Sequence, residues 1–125
     1  METPRTRISK KMREQVYERY DGHCAYCGVE IEYKDMQVDH MVPLRKGGSN
    51  DIGNLLPACR SCNNYKHTLT VKQFRQYINE LVHRLYRDSA TFRTAARFGR
   101  IWANPDGTVF YFEKPRKKCN VRISE

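Results

Sequence analysis

Two Cys-x-x-Cys pairs, Cys24-Ala-Tyr-Cys27 and Cys59-Arg-Ser-Cys62, constrain this chain more than any other feature. Matched pairs of this kind supply four thiolates to one tetrahedral zinc, at about 2.3 Å each, in a closed site with no open position. Gly28 lets the first knuckle turn tightly. Zinc ribbons usually separate their pairs by about 15–20 residues, whereas here residues 28–58 intervene. Something is therefore inserted between the two halves of the staple. A redox role fits poorly, because that chemistry uses one pair on a thioredoxin-like unit. Cys119 is left over and is assigned no role.

The staple answers a shortage elsewhere. Of 125 residues, 39% are hydrophobic and 30% charged, a lean basis for a core that must form one domain spanning 1–125. The longest strongly apolar run, Val109 to Phe112, is far too short to span a membrane. The N-terminus is basic but no apolar stretch follows it, which argues against a signal peptide and for the cytoplasm. In a reducing compartment, closely spaced cysteines read as metal ligands before disulfides.

Charge is distributed unevenly. Met1–Tyr20 has six basic and three acidic residues, Asp21–Ala58 three and six, and Cys59–Glu125 fourteen and five. An acidic centre between basic flanks suits a cation site set within a polyanion-binding surface. The bland alternative is that surplus Lys and Arg only aid solubility.

Several elements are legible. Ser9 caps a helix from about Lys10 to Tyr20, with Met12, Val16 and Tyr20 on one face and Gly22 closing it. Short extended pieces are expected around Glu30–Tyr33 and Gln37–Val42, with Lys46–Asn50 as a loop. Thr70 and Gln73 form a capping box for a helix running to about Asp88, and Leu69 can staple to Phe74. Ser89 caps a shorter helix carrying Phe92, Ala95 and Ala96, which Gly99 stops. Asn104-Pro105-Asp106-Gly107 is turn chemistry between extended runs at Ile101–Ala103 and Thr108–Phe112, predicting a terminal hairpin within a helical and hairpin extension over 70–113. Residues 114–125 read as a basic, phosphate-contacting tail, against the default of a solvated terminus.

The insert between the knuckles carries chemistry. Hydrolysis of a phosphodiester needs an activated nucleophile and charge stabilisation at the leaving oxygen. A histidine accepts a proton near neutral pH, and His40 follows Asp39 directly. Neighbouring strand residues face opposite sides, so the two address separate partners. Taken singly, His40, Asn54 and Asn63 read as a surface histidine, a turn residue and a helix cap. Their weight lies in the shared pattern.

That pattern, VDHMVPLRKGGSNDIGNLLPACRSCNNYKH, closely resembles the HNH endonuclease motif in its form with flanking zinc knuckles. The resemblance covers about Tyr17 to His67, and beyond it there is only a loose likeness to phage and prophage relatives. It implies an α+β fold: a small ββα-metal core stapled by a four-cysteine zinc site at Cys24, Cys27, Cys59 and Cys62. It further implies that His40 is the general base, that Asp39 and Asn63 hold one divalent cation, and that Asn54 ties down the loop and orients His40. The family's usual third histidine is replaced by Asn63, which keeps an oxygen donor. Such a hard donor set suits Mg²⁺ or Mn²⁺ rather than zinc. The implied activity is metal-dependent hydrolysis of DNA, with RNA left open and no membrane partner. The alternative is a non-catalytic zinc-stapled module that binds nucleic acid, which would have no need of this residue set. His67, one turn beyond Asn63, is either a further ligand or a surface residue at the helix end. Arg45, Lys46, Arg60, Tyr65, Lys66 and the glycine loop are expected as phosphate contacts. Oligomeric state is left open.

Overall fold

The structure, a computed structural model, describes residues 7–115. Residues 116–125, with Cys119 and most of the expected basic tail, lie outside the described residues. Helix α1 (Lys10–Arg19) begins where the Ser9 hydroxyl accepts from the Met12 amide. Strands β1 (Gln37–His40) and β2 (Leu55–Ala58) pair antiparallel, with Asp39 opposite Leu56 and His40 opposite Leu55. Helices α2 (Arg60–Lys66), α3 (Val71–Asp88) and α4 (Ala90–Arg97) follow. This is an α+β arrangement in which β1, β2 and α2 form the ββα unit.

Alternation along β2 divides the interior. Leu55 packs with Val16 of α1 and Met36, whereas Leu56 faces Cys24, Ala25, Tyr26, Phe74 and Phe110. A side-chain period of two makes adjacent leucines serve opposite faces. Pro57, which has no N–H to give a ladder, still accepts from the Ala25 amide at 2.8 Å. The first knuckle therefore docks directly on β2.

Capping explains α3. The Thr70 hydroxyl accepts from the Gln73 amide while Gln73 Oε1 accepts from the Thr70 amide, satisfying two of the donors that every helix N-terminus leaves open. Ser89 both closes α3 and caps α4, accepting from Phe92 N at 3.0 Å.

Two expectations are corrected. The extended piece at Glu30–Tyr33 is reduced to one bridge between His23 and Glu30, followed by a 3₁₀ turn at Tyr33–Asp35. The C-terminal hairpin does not form: among the described residues the sheet has only β1 and β2. Residues 101–113 instead run irregularly across α3. Asn79 Oδ1 accepts from Thr108 N, Arg75 donates to Thr108 O and pairs at 2.6 Å with both Glu113 oxygens, and Phe110 stacks on Phe74. The amides of Tyr111 and Phe112 donate to the carbonyls of Tyr26 and Ala25. The backbone groups of this run thus find partners on α3 and on the knuckle, and a self-paired hairpin would forfeit Phe110, which is buried at the centre of the core.

Candidate active site

The four cysteine sulfurs of the two knuckles lie within 4.8 Å of one another. A tetrahedral ion with bonds of about 2.3 Å sets its sulfurs roughly 3.8 Å apart, and Cys27 Sγ and Cys59 Sγ are separated by 3.9 Å. The donor set fits zinc. Cys24 is held down at about 4 by its hydrogen bond with the Cys62 thiol, against the opposing effect of burial. The same bond, with burial, pushes Cys62 up. One thiolate is thus already favoured in the cluster, which is the form that binds metal. Cys59 is also the N-cap of α2, its sulfur accepting from Cys62 N at 3.4 Å.

Both knuckles extend into the ββα unit. Tyr26, between Cys24 and Cys27, donates its hydroxyl to Asp39 Oδ2 at 2.6 Å. The second knuckle starts α2, which carries Asn63 and Lys66. Lys66 is fully buried, and its Nζ lies 3.1 Å from Asp39 Oδ2 and donates to His40 O at 2.8 Å. Asp39, 4% exposed, is consequently a buried carboxylate with a phenol and an ammonium on one oxygen. Its Oδ1 has a longer 3.4 Å contact with Lys66. Burial raises the Asp39 pKa, and Lys66 and Tyr26 oppose the rise. Burial also lowers that of Lys66, with Asp39 opposing. Each charge is tolerated because the other is present. The expectation that Lys66 contacts phosphate is therefore corrected, because its ammonium is committed inside the protein.

His40 points the other way from β1. Its Nε2 lies 2.7 Å from Asn50 Oδ1. An amide oxygen only accepts, so Nε2–H is the donor of this contact. Asn54 clamps the intervening loop with three bonds: its Oδ1 accepts from Val42 N at 2.9 Å, and its Nδ2 donates to Val42 O at 3.1 Å and to Ser49 O at 2.8 Å. Gly48 belongs to that clamp. A Cβ there would sit 1.7 Å from Val42 O, so its missing side chain serves loop closure rather than the approach of a phosphate. Lys46 donates to Gln73 Oε1 at 2.8 Å, tying the loop to α3.

A cleft of about 680 Å³ is lined by Asp39, His40, Arg45, Asn63, Asn64 and His67, among others. The structure thus brings Asp39, His40 and Asn63 to one cavity, with Asn54 behind it. His67 borders the cleft and closes α2 with a positive φ of 50°. Arg60 and Tyr65 are exposed on α2. Sequence reasoning missed Asn50 and Tyr26. Nothing in the sequence marks Asn50 among other loop residues, but Tyr26, an aromatic inside a knuckle, was open to suspicion as a residue aimed at the core.

The structure thus holds a ββα unit framed by a four-cysteine cluster, with Asp39, His40 and Asn63 on one cleft. Residues 24–69 match the family model of the HNH endonuclease. Over 69 residues the chain is 32% identical to the SPbeta prophage-derived HNH endonuclease YoqL of Bacillus subtilis (strain 168), covering 49% of this chain and 30% of that protein. It is 48% identical over 44 residues to the CRISPR-associated endonuclease Cas9 of Actinomyces naeslundii, covering 34% of this chain and 4% of that one. The crystal structure of that Type II-C Cas9 superposes with a TM-score of 0.51 at 32% identity, over 60% of this chain and 9% of that chain. The chain thus spans less than a third of the length of these relatives. No helix among the described residues is long and apolar enough to cross a membrane.

Proposed function

We propose that the protein is a metal-dependent endonuclease that hydrolyses phosphodiester bonds in DNA. The observation that supports this most is the convergence of Asp39, His40 and Asn63 on one cleft, with Asp39 held by Tyr26 and Lys66 and His40 by Asn50. His40 acts as general base. With its Nε2 proton given to Asn50, Nδ1 takes the proton of the attacking water. Asp39 and Asn63 would hold one divalent cation, Mg²⁺ or Mn²⁺. That ion, when bound, supplies charge stabilisation at the phosphate and the leaving oxygen. Hard oxygen donors suit such a cation, whereas the four thiolates suit zinc. Asn54 is a positioning residue that holds the 42–49 loop beside the base.

Zinc has an architectural task in this reading. It fixes the knuckle that aims Tyr26 at Asp39 and the turn that launches α2 with Asn63, so both sides of the cleft depend on one ion. The basic flanks supply attraction to a polyanion. The test is cleavage of supercoiled plasmid by the zinc-loaded protein, with and without magnesium or manganese, beside His40→Ala. Removing the base should slow cleavage on the order of 10²–10⁴-fold while zinc content and thermal unfolding stay close to wild type. Wild-type-like cleavage by His40→Ala would overturn the mechanism.

A further inference from the structure

The C-terminal end of α4 and the run that follows it are not part of the cleft lining and carry a surface that the nuclease reading does not use. Phe98 is 74% exposed and Trp102 80% exposed, although large aromatic rings ordinarily supply burial. The backbone between them leaves α4 by a fixed path. Gly99, at φ 69°, ends α4 with its own amide on Ala96 O and the Arg100 amide on Ala95 O, a Schellman closure that fixes the exit of the chain. The α3–α4 corner is locked by Arg93, whose guanidinium donates to Tyr86 O and Arg87 O, and by the edge-to-face contact of Tyr86 with Phe92.

The stretch of sequence that carries these rings is strongly positive. Between His83 and Trp102 there are five arginines, no lysine and a single acid, Asp88, which is already paired bidentately with Arg87. Arg97 has only a 3.4 Å contact with Thr94, and Arg100 has no side-chain hydrogen bond or ion pair among the described residues. Guanidinium groups bind phosphate with fork geometry and stack on planar rings, which ammonium groups do not.

We propose that this corner, centred on Arg97, Phe98, Arg100 and Trp102, docks a single-stranded stretch of nucleic acid adjoining the bond to be cut. The inference rests on the nuclease reading and adds a substrate class to it. Base faces are covered in a duplex and open in a single strand, so exposed aromatic rings beside arginines suit unpaired bases, each stack contributing roughly 1–3 kcal/mol. α3 links the two places: Gln73, in its first turn, meets Lys46 of the cleft loop, and α4, which ends at Arg97, starts from its other end at Ser89.

Two other occupants fit less well. A symmetric contact with a second copy would bring two patches of the same positive charge together. A lipid surface needs a continuous apolar stripe, but the stripe of α4, Phe92, Ala95 and Ala96, is half-buried and Phe92 already meets Tyr86 of α3.

Trp102 is the sole tryptophan of the chain, so its emission reports on this surface alone. Full-length, zinc-loaded His40→Ala protein is titrated without added divalent metal, using a single-stranded 20-mer and a blunt duplex of the same length. The single strand should quench the emission, and the duplex should quench much less. Trp102→Ala and Phe98→Ala, followed by fluorescence anisotropy of a labelled oligonucleotide, should each weaken single-strand binding about 5- to 100-fold, with duplex binding within about twofold. Arg97→Gln with Arg100→Gln should flatten the log–log salt dependence by about 0.7 for each phosphate no longer neutralised. Equal quenching by duplex, or unchanged single-strand affinity in Trp102→Ala, overturns the proposal. So does an emission shift on phosphatidylserine vesicles but not on oligonucleotide, or one that depends on protein concentration alone. Because the titration uses a protein unable to cut, its result stands apart from the plasmid assay. Wild-type cleavage with no single-strand preference would sink this inference and spare the nuclease.

Discussion

The buried pair Asp39–Lys66 gives the sharpest stability test. Replacing Lys66 by Met keeps most of the side-chain volume and removes the ammonium. That leaves His40 O without its 2.8 Å donor and Asp39, 4% exposed, without its cation. Breaking a buried pair from one side costs about 3–5 kcal/mol, because the surviving charge stays buried and uncompensated. For a chain of this length that corresponds to a fall in Tm on the order of 10–20 °C. The measurement is urea unfolding of the zinc-loaded variant, checked by elemental analysis so that zinc release is not mistaken for a broken ion pair. Asp39→Asn in the same background should restore about half of the loss, since it removes the orphaned charge and keeps a group that can accept from Tyr26.

The pH dependence has a definite sign. Burial already raises the Asp39 pKa, and Lys66 opposes the rise, so removing Lys66 raises it further. A carboxyl whose folded pKa lies above its unfolded value binds its proton more tightly when folded, so stability falls as pH climbs from the unfolded toward the folded pKa. Buried carboxylates without a cation can titrate as high as about pH 8. The penalty of Lys66→Met should therefore be largest near about pH 8 and shrink toward about pH 5.5. A loss below about 1 kcal/mol, or a penalty that grows on acidification, would refute the account of Lys66 as the counter-charge of Asp39.

Other outcomes follow from the same supports. Cys24→Ser, or prolonged chelation, should release zinc and unfold the ββα unit, because structural zinc binding is coupled to folding; circular dichroism with elemental analysis reads both, and a folded zinc-free Cys24→Ser protein would refute the staple. Asn54→Ala removes all three clamps on the 42–49 loop and should cost about 1–3 kcal/mol in denaturant unfolding, with slowed plasmid cleavage. If it cuts at the wild-type rate, the loop has no part in placing His40.

Much of the site was legible because its chemistry is encoded in residue type and short spacing. Cys24, Cys27, Cys59 and Cys62 declare a metal by their intervals, and the structure brings their sulfurs together. Asp39 and His40 are neighbours on a strand, so their opposite directions follow from the pleat, and the Thr70–Gln73 capping box needed only local bonds. What stayed hidden depends on contacts between distant segments. Lys66 reads as a surface cation because lysine is rarely buried, and only the approach of β1 to α2 reveals a carboxylate waiting for it. Asn50 is one polar loop residue among several until the loop closes on His40.

The failed hairpin has the same origin but a more instructive cause. Asn104-Pro105-Asp106-Gly107 is sound turn chemistry, and Asp106 N does donate to Asn104 Oδ1 at 2.9 Å. The local turn is real. A hairpin, however, needs both flanking runs free to pair, and a lone two-stranded hairpin is marginal in water. Here the competing partners are better. Arg75 offers Glu113 two bonds at 2.6 Å and Thr108 O a third, Tyr26 and Ala25 offer carbonyls to the second run, and Phe110 enters a core already containing Tyr26 and Phe74. With the second run claimed by the knuckle, the first has nothing to pair with, which is why Ile101 and Trp102 emerge at the surface beside Arg97 and Arg100. The knuckle backbone thus serves two ends: it carries Tyr26 to Asp39, and it takes Tyr111 and Phe112 away from the 101–103 run.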